Sequence, residues 1–331
     1  MVALPLGAPE VAPVAWVLHD GKAGIASQAL GLAEATGFPF VEKPLQIRLP
    51  WRSLPLRLWP LPLLAAGGNA GLAPPWPDVI IACGRNAAMP ALAIRRASAG
   101  RTVAAQIQDP GVGHDEFDLF VVPAHDRLRG PRVMVTEGAV HRVTPARLAA
   151  AKRQFPALAA LPRPILAVLI GGSNRAYRLS LKRLGGIADG IAQVLRTSGG
   201  SALVTPSRRT GAAGAALLRD RLAGLSATIW DGRGDNPYFA YLALADTVLV
   251  TADSVSMISE AAATGKPVHI LDLPGGNAKF VRFHASMRAA GITRPFRGAL
   301  ESWTYAVPDD TGGAGARLRA LVLSRREQAE A

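Results

Sequence analysis

The sequence predicts an α/β protein with two tandem domains, each built on a doubly wound parallel sheet. Three observations predict this class. The chain has 331 residues, about twice the usual size of one domain. Short, wholly apolar runs alternate with stretches of helical periodicity, as in sheets that are buried on both faces. Hydrophobic residues make up 49% of the chain and charged residues 18%, so it can form two cores and is not disordered.

The first half repeats a unit of strand, loop and helix. Residues 14–18 form an apolar run that ends at the polar residues 19–24, and a helical pattern follows from Ser27. The unit recurs at residues 79–83, where Gly84-Arg85-Asn86 leads into a second helical pattern. Further apolar runs predict strands at residues 102–107, 119–122 and 133–136.

The second half repeats the alternation after a proline-rich break. Residues 145–161 favour a helix, and Leu161-Pro162-Arg163-Pro164 follows, so we predict Rossmann-like domains at 1–160 and 161–331. Strands are predicted in the second domain at residues 165–170, 202–205, 227–230, 247–250 and 267–271. Tandem domains of this kind bind ligands in an interdomain cleft, at the carboxyl ends of both sheets.

Arginine dominates the charge of the chain. There are 37 basic and 24 acidic residues, a net charge of +13, and 31 of the basic residues are arginine. The planar guanidinium group suits phosphate and carboxylate oxygens, although a general composition bias explains the count equally well. Nucleic-acid binding is not expected, because no recognition helix or aromatic nucleic-acid signature accompanies the charge.

Metal binding is not expected either. The single cysteine excludes a disulfide framework and a Cys-based zinc site. The segments His114-Asp115-Glu116 and His125-Asp126 are interpreted as polar loop clusters rather than as ligand sets.

Residues 43–77 form a basic and aromatic segment. They contain Lys43, Arg48, Arg52 and Arg57, together with three tryptophans and no acidic residue. This combination is typical of an anionic membrane surface, and the alternative is a proline-rich excursion that packs on the first domain. Because no basic residue precedes Lys22, a targeting signal is not expected. We therefore expect a cytoplasmic protein, either soluble or peripheral on the cytoplasmic face of a membrane.

Three loops after predicted strands have the composition of a diphosphate pocket. They are rich in glycine and hydroxyl groups, and helix N-termini beside them offer amide N–H groups to an anion. The loops are Gly171-Gly172-Ser173-Asn174, Thr205-Pro206-Ser207-Arg208-Arg209-Thr210 and Thr251-Ala252-Asp253-Ser254-Val255-Ser256.

The third loop leads into a helix that we expect Ser254 to cap. Asp253, Ser256 and Glu260 then share one helix face. Glu260 lies in an otherwise apolar stretch, so we interpret it as an acceptor for ribose hydroxyls; the alternative is a solvated surface residue.

Residues 253–268 resemble the donor-nucleotide motif of two-domain (GT-B) glycosyltransferases, with a serine-rich turn, Glu260-Ala261 and Gly265-Lys266-Pro267. Residues 170–173 and 236–246 resemble two other segments of these enzymes. Nearly the whole chain is similar to the family of the plant elongated-mitochondria fission protein and its bacterial relatives. The residues that carry this second resemblance are 20–24, 117–131, 138–144 and 273–276.

The resemblance implies a GT-B-like protein with an acceptor domain first and a donor domain second. Its implied substrate is a nucleotide-diphosphate sugar, most often UDP-linked, without cofactor or metal, because arginines and helix dipoles stabilise the departing diphosphate. The implied nucleotide-binding residues are Gly171, Gly172, Ser173, Asn174, Ser207, Arg208, Arg209, Asn236, Asp253, Ser254, Ser256, Met257 and Glu260.

Catalysis needs a base in the first domain. Asp20 is the first candidate and His19 the second, with acceptor-side residues Gly21, Lys22, Gly84, Arg85 and Asn86. Asp20-Gly21 is equally consistent with a simple turn.

No Gly-x-Gly-x-x-Gly loop follows a predicted strand, which argues against an epimerase that holds a dinucleotide. The alternative function is a non-catalytic adaptor of the fission type that keeps the fold, with a protein partner that the sequence does not identify.

Overall fold

The computed structural model describes residues 12–67 and 70–330, with Glu330 described in its backbone only. The chain divides into two compact units. The first unit comprises the described residues up to Val122, residues 128–135 and the residues from Thr311 onward, and the second comprises Pro123–Arg127 and Thr136–Asp310. This division differs from the predicted ranges 1–160 and 161–331. Residues 123–127 and 136–160 belong to the second unit, and the residues from Thr311 onward belong to the first.

The first unit contains a six-stranded sheet in the order β2-β1-β3-β4-β5-β6. Its strands pair in parallel, and the central ones are wholly buried, which explains their continuous apolar runs. The strands are β1 (Ala15–His19), β2 (Phe40–Pro44), β3 (Val79–Cys83), β4 (Val103–Ile107), β5 (Leu119–Pro123) and β6 (Val133–Thr136). The helices are α1 (Ala23–Thr36), α2 (Pro62–Ala65), α3 (Arg85–Ala97) and, from the far end of the chain, α10 (Asp310–Glu330).

The second unit contains another six-stranded sheet, in the order β12-β11-β10-β7-β8-β9, again with parallel pairing. Its strands are β7 (Ile165–Ile170), β8 (Ser201–Pro206), β9 (Ala227–Ile229), β10 (Thr247–Thr251), β11 (Val268–Leu271) and β12 (Thr293–Pro295). Its helices are α4 (Pro145–Gln154), α5 (Leu181–Ser198), α6 (Gly211–Arg221), α7 (Tyr238–Leu244), α8 (Val255–Ala262) and α9 (Ala278–Ala289). Each unit is built around a separate hydrophobic core.

The helix before the proline-rich break packs in the second unit rather than the first. α4 lies against α7, and Gln154 Nε2 donates to the Asp235 carboxylate at 3.0 Å. Pro156 begins a short 3-10 helix, Pro156–Ala160, so α4 is shorter than the predicted stretch 145–161.

The segment 43–77 packs partly on the first core. Leu45, Leu56 and Trp59 are buried there, and the indole N–H of Trp59 donates to the Leu54 carbonyl at 3.2 Å. Residues 68 and 69 of this segment lie outside the described residues. In the part of the chain that the structure describes, none of the helices combines the length and apolar character needed to cross a bilayer.

Candidate functional site

The second sheet has a switch point between β7 and β10. From β7 the chain continues to β8 on one side, whereas β10 pairs on the other side. In open parallel sheets, ligands bind beyond the carboxyl ends of the strands where the order reverses. The loops that follow β7, β8 and β10 are therefore brought together there, and whether they bind a diphosphate stays a prediction. We call residues 171–174, 207–210 and 251–256 the loop platform.

Two glycines allow the loop platform to close tightly. Gly171 N donates to Thr251 Oγ1 at 2.8 Å, and Gly172 N donates to Asp253 Oδ2 at 3.1 Å. A Cβ atom on Gly171 would lie 2.3 Å from both carboxylate oxygens of Asp253, and one on Gly172 would lie 2.4 Å from the Arg209 carbonyl oxygen. Only glycine fits at both positions, and both amides serve the loops instead of pointing to a ligand.

Asp253 and Arg209 form the brace of the loop platform. The Asp253 side chain is wholly buried, and its Oδ2 atom pairs with Arg209 Nη1. The same nitrogen donates to the Gly172 carbonyl at 2.8 Å. Asp253 Oδ1 has no hydrogen-bond partner among the described residues and lies against Gly171. Both arginines are exposed, but Arg209 holds the loops together, whereas the Arg208 side chain makes no hydrogen bond within the described residues.

The smaller predicted residues mostly brace the loops. Ser207 Oγ donates to the Gly171 carbonyl at 2.7 Å. Ser173 Oγ accepts from Leu179 N at 2.9 Å, Asn174 Oδ1 accepts from Ala176 N at 2.7 Å and from Tyr177 N at 2.8 Å, and Asn236 Oδ1 accepts from Tyr238 N at 3.0 Å. These bonds fix the main chain of the loops.

Ser254 caps α8 as predicted. Its side chain accepts from Met257 N at 3.3 Å, and its backbone is extended, as an N-cap requires. Ser254, Ser256 and Met257 are each partly exposed. The first amide groups of a helix have no helical carbonyl to bond, and here the cap satisfies that of Met257.

Glu260 is buried rather than solvated. It is 5% exposed, and its Oε2 atom accepts from the Tyr238 hydroxyl at 2.5 Å. Burial, together with the Glu260 carboxylate, raises the pKa of the Tyr238 hydroxyl well above its usual value, so this group stays protonated and donates. The alternative of a surface glutamate is therefore wrong, and its ribose role stays a prediction.

Tyr238 and Thr210 are site residues that the sequence reasoning did not assign. Thr210 Oγ1 donates to the Gly171 carbonyl at 2.6 Å. Both residues lie in segments that the sequence analysis selected. Thr210 lies in the loop after a predicted strand, and Tyr238 lies two residues after Asn236, so these positions could have identified them.

In the first unit, the switch point lies between β1 and β3. His19, the last residue of β1, is 2% exposed. Its Nδ1 accepts from Gly21 N at 3.1 Å, so Nε2 carries the proton and donates to Glu42 Oε1 at 2.8 Å. Both ring nitrogens are thus engaged within the protein, which does not suit the role of base predicted for His19.

Asp20 meets several of the predicted acceptor-side residues. Its carboxylate pairs with Lys22 Nζ and accepts from Asn86 Nδ2 at 3.3 Å. Gly21 and Gly84 have φ angles of 73° and 77°, which favour glycine. Arg85 points elsewhere: its Nη2 donates to the Leu54 carbonyl at 3.3 Å.

The arrangement offers oxygen and nitrogen groups for an anionic, hydroxyl-bearing ligand. Among residues 12–67 and 70–330, no group of three or more His, Cys, Asp or Glu side chains is gathered as a metal site would require.

Two six-stranded parallel sheets with flanking helices define this protein as GT-B-like, with Rossmann-type units. Among solved structures, UDP-GlcNAc 2-epimerase from Methanocaldococcus jannaschii, in complex with UDP-GlcNAc and UDP, has a similar fold at a TM-score of 0.56. That match has 13% identity and covers 94% of this chain and 99% of the other. This likeness shows the fold alone. The missing Gly-x-Gly-x-x-Gly loop argues only against an epimerase that holds a dinucleotide.

The chain belongs to the family described as mitochondrial fission ELM1, whose family model matches residues 23–322. It is 34% identical over 279 residues to the mitochondrial fission protein ELM1 of Arabidopsis thaliana. That match covers 75% of this chain and 65% of the plant protein, so this chain spans less than two thirds of that relative. It is also 24% identical over 337 residues to an uncharacterized protein of Rickettsia prowazekii, covering 88% of this chain and 93% of the other. The resemblance read from the sequence is confirmed.

Proposed function

We propose that the second unit binds a nucleotide-diphosphate sugar, UDP-linked, on the loop platform, and that the protein transfers the sugar without a metal. The observation that carries this proposal is the brace of Asp253, Arg209 and Gly172, which ties together the three loops at the switch point of the sheet. The brace fixes the loop that carries Arg208 and the loop that leads into α8, so the donors there need little reorganisation when an anion binds. The bound UDP-GlcNAc and UDP in a relative of the same fold are consistent with it.

In this proposal the diphosphate meets Arg208 and the first turn of α8. Both arginines of the platform are exposed, but Arg209 Nη1 pairs with Asp253, whereas Arg208 has no ion pair among the described residues. Ser254 and Ser256 add hydroxyl groups at the same helix end, where the helix dipole favours an anion.

The Arg208 contact is tested by calorimetry with UDP, UDP-GlcNAc and GDP. Arg208→Gln is expected to weaken binding by about tenfold, because it removes one charge-assisted hydrogen bond. Arg219→Gln is the matched control, since Arg219 is exposed at the other end of α6. No binding by the unmodified protein to any of these nucleotides would remove the proposal, and equal effects of both variants would remove the role of Arg208.

The ribose is assigned to Glu260. Glu260 is a carboxylate on α8, the helix that follows the loop platform, and carboxylates in nucleotide sites accept hydrogen bonds from ribose hydroxyls. Glu260→Gln is expected to weaken UDP binding while leaving inorganic pyrophosphate binding unchanged, because pyrophosphate has no ribose. If both ligands bind the variant as they bind the unmodified protein, Glu260 is structural only.

The acceptor is assigned to the first unit, with Asp20 as the base. Lys22 and Asn86 hold the Asp20 carboxylate, which keeps it oriented. Asp20→Asn is expected to abolish sugar transfer or hydrolysis of the donor without changing its affinity. Retained turnover in this variant would exclude Asp20 as the base.

A second candidate function is a non-catalytic adaptor that keeps the fold. Family membership favours it, and so does the engagement of both nitrogens of His19 within the protein. Measured release of UDP from UDP-sugars, lost in Asp20→Asn, would exclude the adaptor. Nucleotide binding without any turnover, together with recovery of a stoichiometric protein partner, would favour it.

We also propose that residues 43–77 contact an anionic membrane surface from the cytoplasm. Leu49, Leu58, Leu61 and Leu64 are 60–71% exposed, and exposed arginines 48, 52 and 57 accompany them. Apolar side chains beside cations suit a headgroup region. The protein is expected to float with vesicles containing phosphatidylserine at low salt, and a Leu58→Ser, Leu61→Ser double variant is expected not to. Equal flotation of both proteins would contradict this assignment.

A further inference from the structure

A pocket of about 460 Å³ in the first unit is lined by three guanidinium groups, those of Arg132, Arg317 and Arg325. Leu119, the first residue of β5, also lines it, as does Arg132, which directly precedes β6. The pocket therefore lies at the amino ends of these strands. Residues 20–22 and 84–86 follow strands of the same parallel sheet and lie at its other edge. The pocket is thus distinct from the acceptor-side residues.

The three guanidinium groups are held in place by the main chain. Arg132 Nη1 donates to the Phe117 carbonyl at 3.3 Å, Arg317 Nη2 to the Pro131 carbonyl at 3.0 Å and Arg325 Nη1 to the Gly100 carbonyl at 2.9 Å. A guanidinium has five N–H donors. Within the described residues, the recorded bonds of Arg132 and Arg317 each use a single terminal nitrogen, so donors remain for a ligand.

The carboxylate of the pocket is already neutralised. Asp118 accepts from Arg95 at 2.9 and 3.0 Å, from Ala104 N at 2.9 Å and from Arg325 at 3.0 Å. Burial raises the pKa of Asp118, but these hydrogen bonds outweigh burial, and the pKa lies below its ordinary value. Because Arg95 balances this charge, Arg132 and Arg317 give the pocket a net positive charge.

We infer that this arginine pocket is a second binding site, for a phosphate group carried by a small anion. Guanidinium groups fixed in orientation suit the paired oxygens of phosphate better than a single point charge does. A concave site of this volume admits a phosphorylated small molecule or a phosphorylated lipid headgroup, and both present the same chemistry. The inference does not depend on the proposed function, because it concerns another unit and other residues.

Calorimetry with inorganic pyrophosphate tests the site in an Arg208→Gln background, which weakens the other expected phosphate site. Pyrophosphate is expected to bind, and a further Arg317→Gln substitution is expected to weaken it by about tenfold to a hundredfold. Arg196→Gln is the matched control, because Arg196 is exposed on α5 in the second unit. Arg132→Gln gives a second, independent test should Arg317→Gln unfold, and circular dichroism checks folding.

No pyrophosphate binding in the Arg208→Gln background would overturn the inference. Equal weakening by Arg196→Gln would also overturn it, because the effect would then be general electrostatics. Flotation with vesicles containing phosphatidic acid separates the two sources. If Arg317→Gln reduces flotation as well, the ligand is a headgroup; if it reduces only pyrophosphate binding, the ligand is soluble.

Discussion

The closest packing in the candidate site makes a sharp prediction for Gly171→Ala. The new Cβ would lie 2.3 Å from both oxygens of Asp253, where an ordinary contact needs more than 3 Å. Asp253 cannot retreat freely, because Arg209 and Gly172 hold it. Overpacking costs ~1–3 kcal/mol and a weakened bond to a charged group ~1.5–3 kcal/mol. We therefore expect Gly171→Ala to lower the free energy of unfolding by roughly 3–5 kcal/mol.

Gly186→Ala is the matched control for this change. Gly186 is exposed within α5, and its added Cβ meets nothing within 4 Å. Alanine in an open helical position stabilises by roughly 0.5–1 kcal/mol relative to glycine. The two variants are therefore expected to move stability in opposite directions.

Urea unfolding followed by circular dichroism measures both variants against the unmodified protein, with the transition of the second unit fitted separately because two units need not unfold together. Gly171→Ala should lower the midpoint and also weaken UDP binding. If Gly171→Ala matches Gly186→Ala in stability, the tight closure of the loop platform is not a constraint on this fold.

Two further predictions concern buried charge. Burial lowers the pKa of His141 to about 4, so between pH 6.5 and 4 the unfolded chain binds more protons and stability falls on acidification. That loss is about 2 kcal/mol between pH 8 and pH 5, and His141→Asn is expected to remove this part of the pH dependence in urea unfolding. Asp118→Asn is expected to lower the free energy of unfolding by about 3 kcal/mol. The Asp118 side chain is only 7% exposed, and the change removes the negative charge that pairs with Arg95. Asp189 pairs with Arg221, and both side chains are exposed, so Asp189→Asn should lower the free energy of unfolding by about 0.5 kcal/mol or less. Similar shifts in melting temperature for Asp118→Asn and Asp189→Asn would contradict the role of burial.

The sequence predicts the central strands well because burial on both faces leaves an uninterrupted apolar run. Residues 79–83 and 165–170 are such strands at the predicted bounds, and the partly exposed edge strand at residues 133–136 also has its predicted bounds. The edge strands β2 and β12 escaped prediction, since Phe40–Pro44 is mostly exposed and Thr293–Pro295 has no apolar run. Propensity cannot find such strands, because pairing with a neighbour creates them.

The candidate site was predictable in its location but not in its internal bonds. Composition and position after strands identified the loops that contain Gly171, Arg209 and Asp253. Which of the two arginines pairs with Asp253 depends on how the loops after β8 and β10 meet across β7, and no local pattern encodes it. For the same reason the sequence placed the domain boundary at residue 160, although α4 packs against α7.

Helix α10 has a consequence for biosynthesis. Ala314, Leu318 and Val322 are buried, and Arg319 donates to the Thr36 carbonyl of α1 at 2.9 Å, so this helix completes a unit whose strands are translated first. The ribosome must finish all of Thr136–Asp310 before that helix emerges. The amino-terminal sheet therefore waits, incompletely covered, while the later segment already has its own core. The first unit can therefore be completed only after the residues of the second unit have been synthesised.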